Sequence, residues 1–139
     1  MKISIQQLDQ EQHFEARNES GGKIRLDGSG TVGGLEGGIS PLQLLLAGIG
    51  ACSAIDIAGI LRKQKQDVRD FRIEVTGDKK SRDTYSEFET VDVKYIFTGD
   101  IDPAKVERAI DLSLGKYCSV SKALEKATEI RSTYEIHPA

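Results

Sequence analysis

Hydrophobic and polar residues alternate in three short segments at the start of the chain. A period of two residues is typical of half-buried β-strands, so the alternation predicts three strands joined by turns. Gly21-Gly22 separates the second segment from the third. The segments are residues 2–8 around Ile3 and Ile5, residues 13–17 around Phe14 and Ala16, and residues 23–27 around Ile24 and Leu26.

A long apolar segment follows, from Leu42 to Leu61, and its only charged residue is Asp56. Ser40 is a candidate helix N-cap, Pro41 suits the first helical position, and Gln43 completes the spacing of a capping box. The segment therefore predicts a single α-helix, about 30 Å long.

A helix of this length could also cross a membrane. Gln43, Ser53 and Asp56 argue against that, because an aspartate near the bilayer centre costs about 2.5–3.5 kcal/mol. A helix that is apolar on every side is instead surrounded by protein. Since a chain of 139 residues has little material to surround it, we expect a second copy of the chain to cover part of the helix, in a homodimer.

The second half of the chain adds strands and shorter helices. Strands are predicted over residues 69–77 and 86–98, and a change of hydrophobic parity predicts a β-bulge near Thr90. Asp102-Pro103 begins a helix that Gly115 is expected to end, a short helix covers residues 119–126, and a strand runs through Ile130 to Ile136. The order βββ–α–ββ–α–α–β predicts one α+β domain, residues 1–139, with mainly antiparallel sheets.

Composition narrows the class of protein. The chain has 19 Lys and Arg against 22 Asp and Glu, a net charge of −3. This mildly acidic charge does not predict binding to nucleic acid or to an anionic membrane. The N-terminal segment alternates instead of running apolar, so it does not predict a signal peptide, and we expect the protein to be cytoplasmic.

The sequence predicts neither a metal nor an organic cofactor. The two cysteines are too far apart for the usual zinc patterns, and neither His13 nor His137 has partners that complete a ligand set. Residues 28–33 fit G-x-G-x-x-G, but a dinucleotide site needs the helix to open inside that motif. The helix here begins only near Ser40, so a loop beside the functional site is the preferred interpretation.

Cys52 and Cys118 are the candidate reactive residues. Cys52 lies in the long helix on a stripe of small and polar residues, but it could also be only a small buried hydrophobe. Cys118 precedes a short helix, a position that favours its thiolate, although it could be an incidental loop cysteine. Together they could act as attacking and resolving thiols. Arg17 and Arg25 are candidates for the cation such chemistry needs, whereas Asp56 would oppose a thiolate at Cys52 if the two are close.

Two segments resemble motifs of the OsmC/Ohr family, the osmotically inducible protein C and organic hydroperoxide resistance proteins. Residues 40–56, SPLQLLLAGIGACSAID, are similar to the central-helix motif, and residues 117–124, YCSVSKAL, to the second cysteine motif. The resemblance implies an intertwined homodimer with two sites at the subunit interface. It also implies reduction of organic hydroperoxides, with Cys52 attacking, Cys118 resolving, Arg25 or Arg17 steadying the thiolate, and an external dithiol as reductant.

The chain departs from the family pattern at the start of the long helix. Peroxidase members carry Pro-Glu there, whereas Leu42 and then Gln43 follow Pro41, and Ser119 follows Cys118 where proline is usual. At these positions the chain resembles the OsmC-like branch of the family. The alternative interpretation is therefore that the protein binds a small molecule or senses redox state without catalysis.

Overall fold

The computed structural model describes residues 1–28 and 38–139, which form six strands, three α-helices and one π-helical turn. The glycine-rich loop predicted before the long helix lies largely outside the described residues. The elements are β1 (Ile3–Gln7), β2 (His13–Asn18), β3 (Lys23–Asp27), α1 (Pro41–Lys63), β4 (Asp67–Ser81), β5 (Ser86–Asp100), α2 (Pro103–Leu112), the π-helical turn (Ser113–Tyr117), α3 (Ser119–Leu124) and β6 (Glu129–His137).

The chain divides into two compact units, Met1–Leu45 and Leu46–Ala139. The first contains the antiparallel sheet β1-β2-β3. The second contains the sheet β4-β5-β6, in which β4 pairs antiparallel and β6 parallel with β5. The predicted α+β class with mainly antiparallel sheets is confirmed, and the single-domain interpretation stays a prediction.

Helix α1 begins as its sequence predicts. The Ser40 hydroxyl accepts the Gln43 N–H at 3.2 Å, and the Gln43 side chain accepts the Ser40 N–H at 2.9 Å, so the capping box is complete. The helix is long and apolar enough to cross a membrane. Within one chain only one of its faces is buried, however, and the residues of that face are Ile49, Gly50, Ser53, Ile57 and Leu61.

In the second unit, that face packs against the β4-β5-β6 sheet. A Cβ on Gly50 would lie 2.8 Å from Val75 Cγ2, so glycine lets α1 approach β4 closely. Val91, Val93, Tyr95 and Phe97 alternate along β5 and are completely buried. The core is therefore the apolar face of β5, as its hydrophobic parity predicts.

One prediction about the strands is confirmed and one prediction about the helices is wrong. The pairing of β4 with β5 skips Glu89, between Phe88 and Thr90, so the predicted β-bulge is confirmed. The prediction that Gly115 ends the helix is wrong. The chain continues through Gly115 in the π-helical turn, because the Cys118 N–H bonds the Ser113 carbonyl five residues back, at 2.7 Å.

Candidate functional site

The two cysteines meet in the second unit. Cys52 lies in the middle of α1 and is half-buried, whereas Cys118 immediately precedes α3 and is completely buried. Their side chains are close enough for Cys52 to influence the Cys118 thiol, and both cysteines, which lie in the described part of the chain, are free. The fold therefore places two thiols from distant parts of the sequence within reach of each other.

Hydrogen bonds on several sides hold Cys118 in place. Its sulfur accepts the Ser121 N–H at 3.4 Å and so caps α3, while its own N–H donates to the Ser113 carbonyl at 2.7 Å. The Ser121 hydroxyl bonds the Cys118 carbonyl at 2.9 Å and the Leu114 carbonyl at 3.1 Å. Both sides of the Cys118 peptide are thus fixed by the π-helical turn and by α3.

Burial raises the pKa of the Cys118 thiol. The hydrogen bond from Ser121 acts in the opposite direction but is a smaller influence, and the contact with Cys52 raises the pKa further. The prediction that the helix start favours a thiolate at Cys118 is therefore wrong, because desolvation of the charged form outweighs the helix contact. Cys118 therefore keeps its proton to a higher pH than an exposed cysteine does.

A buried hydroxyl pair ties α1 to the sheet beside the cysteines. Tyr95, completely buried on β5, donates its phenol proton to Ser53 Oγ at 2.7 Å. Ser53 Oγ in turn donates to the Ile49 carbonyl at 2.9 Å. Since Ser53 directly follows Cys52, this pair fixes the turn of α1 that carries the half-buried thiol.

Tyr95 is expected to make the protein sensitive to alkali. Burial raises its pKa from 10.0 to about 12. Because the folded state resists ionisation, the stabilisation is intact below pH 10 and is lost as pH rises toward 12. The unfolding free energy of the unaltered protein should fall between pH 9 and pH 11 by about 1 kcal/mol more than that of Tyr95→Phe. Urea unfolding measures this, and equal falls would contradict it.

Asp56 lies one helical turn after Cys52 and has a partner of its own. The hydroxyl of the completely buried Ser113 donates to Asp56 Oδ2 at 2.9 Å, and lies 3.4 Å from the Ser53 carbonyl. That Asp56 opposes a thiolate at Cys52 stays a prediction. The structure adds that this carboxylate links α1 to the segment before Cys118.

The two candidate arginines lie in the first unit, on neighbouring strands. Arg17 on β2 bonds the buried Glu15 through Nε at 2.5 Å, and Arg25 on β3 is the register partner of Glu15. The hydrogen bond from Arg17 lowers the pKa of Glu15, with smaller contributions from the charges of Arg17 itself, Lys23 and Arg25. Glu15 is therefore a carboxylate partner for arginine in this sheet. The role of Arg25 toward Cys52 stays a prediction.

The histidines pair with carboxylates. One ring nitrogen of His13 bonds Asp9 and the other lies 3.5 Å from Asp27, and the Asp9 hydrogen bond raises the pKa of His13. His137 lies 3.0 Å from Glu135. Across residues 1–28 and 38–139, no three His, Cys, Asp or Glu side chains form a group that could hold a metal ion.

Tyr95, Ser113 and Ser121 are parts of the site that the sequence did not predict. The position of Tyr95 could have been used, because a tyrosine on the buried side of a strand needs a hydrogen-bond partner for its hydroxyl. The position of Ser113 could not, since its contacts depend on the π-helical turn, which the hydrophobic pattern does not reveal.

Comparisons with known proteins agree with this architecture. The family model for OsmC-like proteins matches residues 33–133. Protein YhfA of Escherichia coli K12 is 38% identical over 124 residues, which cover 88% of this chain and 89% of YhfA. A hypothetical protein from Aquifex aeolicus VF5 is 27% identical with a TM-score of 0.84, covering 100% of this chain and 98% of that one. The organic hydroperoxide resistance protein OhrB of Bacillus subtilis, at 16% identity, shares the fold with a TM-score of 0.66, covering 97% and 98%. The chain, with its paired cysteines on the central helix and before α3, thus belongs to the OsmC/Ohr family of OsmC-like proteins.

Proposed function

We propose that this protein reduces organic hydroperoxides with two cysteines, Cys52 attacking and Cys118 resolving. The observation that carries the proposal is that two free thiols are neighbours in the second unit, near enough for Cys52 to influence Cys118. Adjacent thiols of unequal exposure are the arrangement that sulfenic acid chemistry needs. The fold shared with organic hydroperoxide resistance proteins supports the same chemistry.

The different surroundings of the two thiols support the division of roles. Cys52 is half-buried, so a small hydroperoxide can reach its sulfur, whereas Cys118 is completely buried. Burial raises the pKa of Cys118, which keeps that sulfur protonated until the resolving step and suits it to the second role.

The reaction consists of three balanced steps. The Cys52 thiolate attacks the outer oxygen of ROOH, the O–O bond breaks, and with one proton the products are Cys52 sulfenic acid and the alcohol ROH. The Cys118 sulfur then attacks Cys52, which forms the disulfide and releases water. An external dithiol finally reduces this disulfide by exchange and is itself oxidised.

The cation that steadies the Cys52 thiolate is proposed to be Arg25, with Arg17 as the alternative. A positive charge beside a thiol favours the charged form. Glu15 supports this choice in one respect. Since Leu42 stands where a glutamate would hold the arginine, another carboxylate is needed. Glu15 is the register partner of Arg25, and it also accepts a hydrogen bond from Arg17, which keeps Arg17 as the alternative.

A cytoplasmic homodimer completes the proposal. On the side of α1 that one chain leaves uncovered, Leu45 is 41% and Ile55 is 73% exposed. Large apolar side chains exposed in the middle of a helix are typical of a surface that a partner covers. A cleft of about 400 Å³ opens beside Ile55 in the second unit, and the apolar residues among those that line it would accommodate an organic substituent on the peroxide. It is lined by Ile55, Asp56, Gly59, Ile60, Lys63, Leu112 and Tyr117.

Mass spectrometry after one equivalent of cumene hydroperoxide tests the proposal. The reduced protein should lose two hydrogens and yield a peptide pair joined by a disulfide between Cys52 and Cys118. The same dose of hydrogen peroxide should oxidise it more slowly, because the apolar surroundings favour an organic substituent. Thiols that remain unmodified after cumene hydroperoxide would refute the peroxidase.

A second candidate is a binding or redox-sensing protein without turnover. Leu42 favours it, because no carboxylate stands at the first turn of α1, where peroxidase members have one. A sensor would form the disulfide once and would not be reduced again by a dithiol at a useful rate. Multiple turnovers with dithiothreitol would exclude this candidate.

A further inference from the structure

Ser113 connects the two segments that carry the thiols. It is completely buried, and its two oxygens bond different elements. Its hydroxyl donates to Asp56 Oδ2 on α1 at 2.9 Å, and its carbonyl accepts the Cys118 N–H at 2.7 Å. Residues four apart share one face of a helix, so Asp56 is the neighbour of Cys52 one turn along α1.

We propose that Ser113 is a positioning residue that holds Cys118 against Cys52 for disulfide formation. The inference deepens the proposed function and rests on it for its biological meaning. The Ser113 hydroxyl bonds Asp56, one turn after Cys52 on α1, and the Ser113 carbonyl bonds the Cys118 N–H, so Ser113 connects the backbones that carry the two neighbouring thiols. A disulfide forms only within a narrow range of separations and angles, so a contact that fixes one sulfur relative to the other sets the rate of closure.

The π-helical turn is the reason Ser113 can make both contacts. In an α-helix the Cys118 N–H would bond the residue four positions back, whereas here it bonds the residue five back. The widened turn brings the Ser113 carbonyl onto Cys118 while its hydroxyl remains against α1. π-Helical turns of this kind occur frequently at functional sites.

The neighbouring buried hydroxyls make different connections. Ser121 bonds the carbonyls of Leu114 and Cys118 and so orders the start of α3. The Ser53 hydroxyl donates to carbonyls of its own helix and accepts a hydrogen bond from the Tyr95 phenol. The Ser113 hydroxyl links the Cys52 helix to the Cys118 backbone, chiefly through Asp56 Oδ2 at 2.9 Å and more weakly through the Ser53 carbonyl at 3.4 Å.

A disulfide reagent separates the closure step from peroxide chemistry. 5,5′-Dithiobis(2-nitrobenzoate) reacts with the thiolate form of the half-buried Cys52, which forms a mixed disulfide and releases one coloured thiolate. Cys118 then loses its proton to solvent and attacks the Cys52 sulfur. The Cys52–Cys118 bond forms, the mixed disulfide breaks, and a second coloured thiolate leaves with the electron pair.

Ser113→Ala should leave the first release within about twofold of the unaltered protein. It should slow the second release about tenfold or more, the effect expected from losing one buried hydrogen bond to a charged group. Asp56→Leu, which removes the acceptor, should slow it equally. Asp56→Asn, which keeps a carbonyl acceptor, should restore a rate near that of the unaltered protein, and Ser132→Ala on exposed β6 is the control.

Several outcomes would overturn the proposal. A second release from Ser113→Ala within twofold of the unaltered protein would do so, even if thermal unfolding shows a loss of stability, because the role would then be structural. Equal slowing in Asp56→Asn and Asp56→Leu would show that the hydrogen bond is not the cause. If closure behaves as expected while the unaltered protein does not consume cumene hydroperoxide, Ser113 keeps its role and the peroxidase function fails.

Discussion

Replacing Cys52 with serine should abolish hydroperoxide reduction, and replacing Cys118 should stop it after one turnover. A serine hydroxyl is not ionised at neutral pH, so Cys52→Ser loses the nucleophile, and removal of a nucleophile costs roughly 10⁴–10⁶-fold in other enzymes. Cys118→Ser keeps the attacking thiol but cannot form the disulfide. It should consume about one equivalent of peroxide and retain Cys52 as sulfenic acid.

The measurements are peroxide consumption by Cys52→Ser with excess dithiothreitol, and by Cys118→Ser without added thiol, because a dithiol would reduce the sulfenic acid directly. Mass spectrometry after trapping with dimedone then detects the sulfenic acid. The two variants control for each other, since both lose one thiol of the same pair and only one should lose the first step. If Cys52→Ser consumed peroxide and Cys118→Ser did not, the roles of the thiols would be reversed. If both retained full turnover, the two-cysteine mechanism would be wrong.

Ile55→Glu should convert the protein from a dimer to a monomer. The isoleucine is 73% exposed on α1 within one chain. If a second copy covers it, a glutamate there would be buried without a partner, which costs several kcal/mol. At micromolar concentration sedimentation velocity should show the mass halved, with hydroperoxide turnover falling in parallel because the site is proposed to lie at the subunit interface.

Ala104→Glu is the matched control for this change. It also places a glutamate at an exposed apolar position of a helix, in the first turn of α2, so it should leave both mass and turnover unchanged. A monomeric unaltered protein would refute the homodimer. A dimeric, active Ile55→Glu would show that this part of α1 is outside the interface.

The order and type of the elements were predictable because they depend on local periodicity and capping. The alternation along β5 identified Val91, Val93, Tyr95 and Phe97 as a buried face, and the parity change located the bulge at Glu89 within one residue. Ser40 and Gln43 fixed the start of α1. Each of these signals is contained within about ten residues, so no tertiary information is needed to interpret it.

The predictions that failed depended on packing. Gly115 was expected to end a helix, but the bond from Cys118 to Ser113 continues the turn through it. Cys118 was expected to be acidic from its place before α3. The helix contact exists, but complete burial raises the pKa of the thiol by more than that contact lowers it.

By itself, the sequence determined an α+β chain with one long apolar helix and two cysteines, each associated with a helix. The tertiary structure alone decided that the Cys52 and Cys118 thiols are neighbours, that Cys118 is the buried one, and that Ser113 bonds both Asp56 and the Cys118 backbone. The physical reason is how far apart in the sequence the interacting residues lie. Periodicity and capping act between neighbours in the chain, whereas desolvation and hydrogen bonds between residues as distant as Asp56 and Ser113 exist only once α1 and the π-helical turn have packed together.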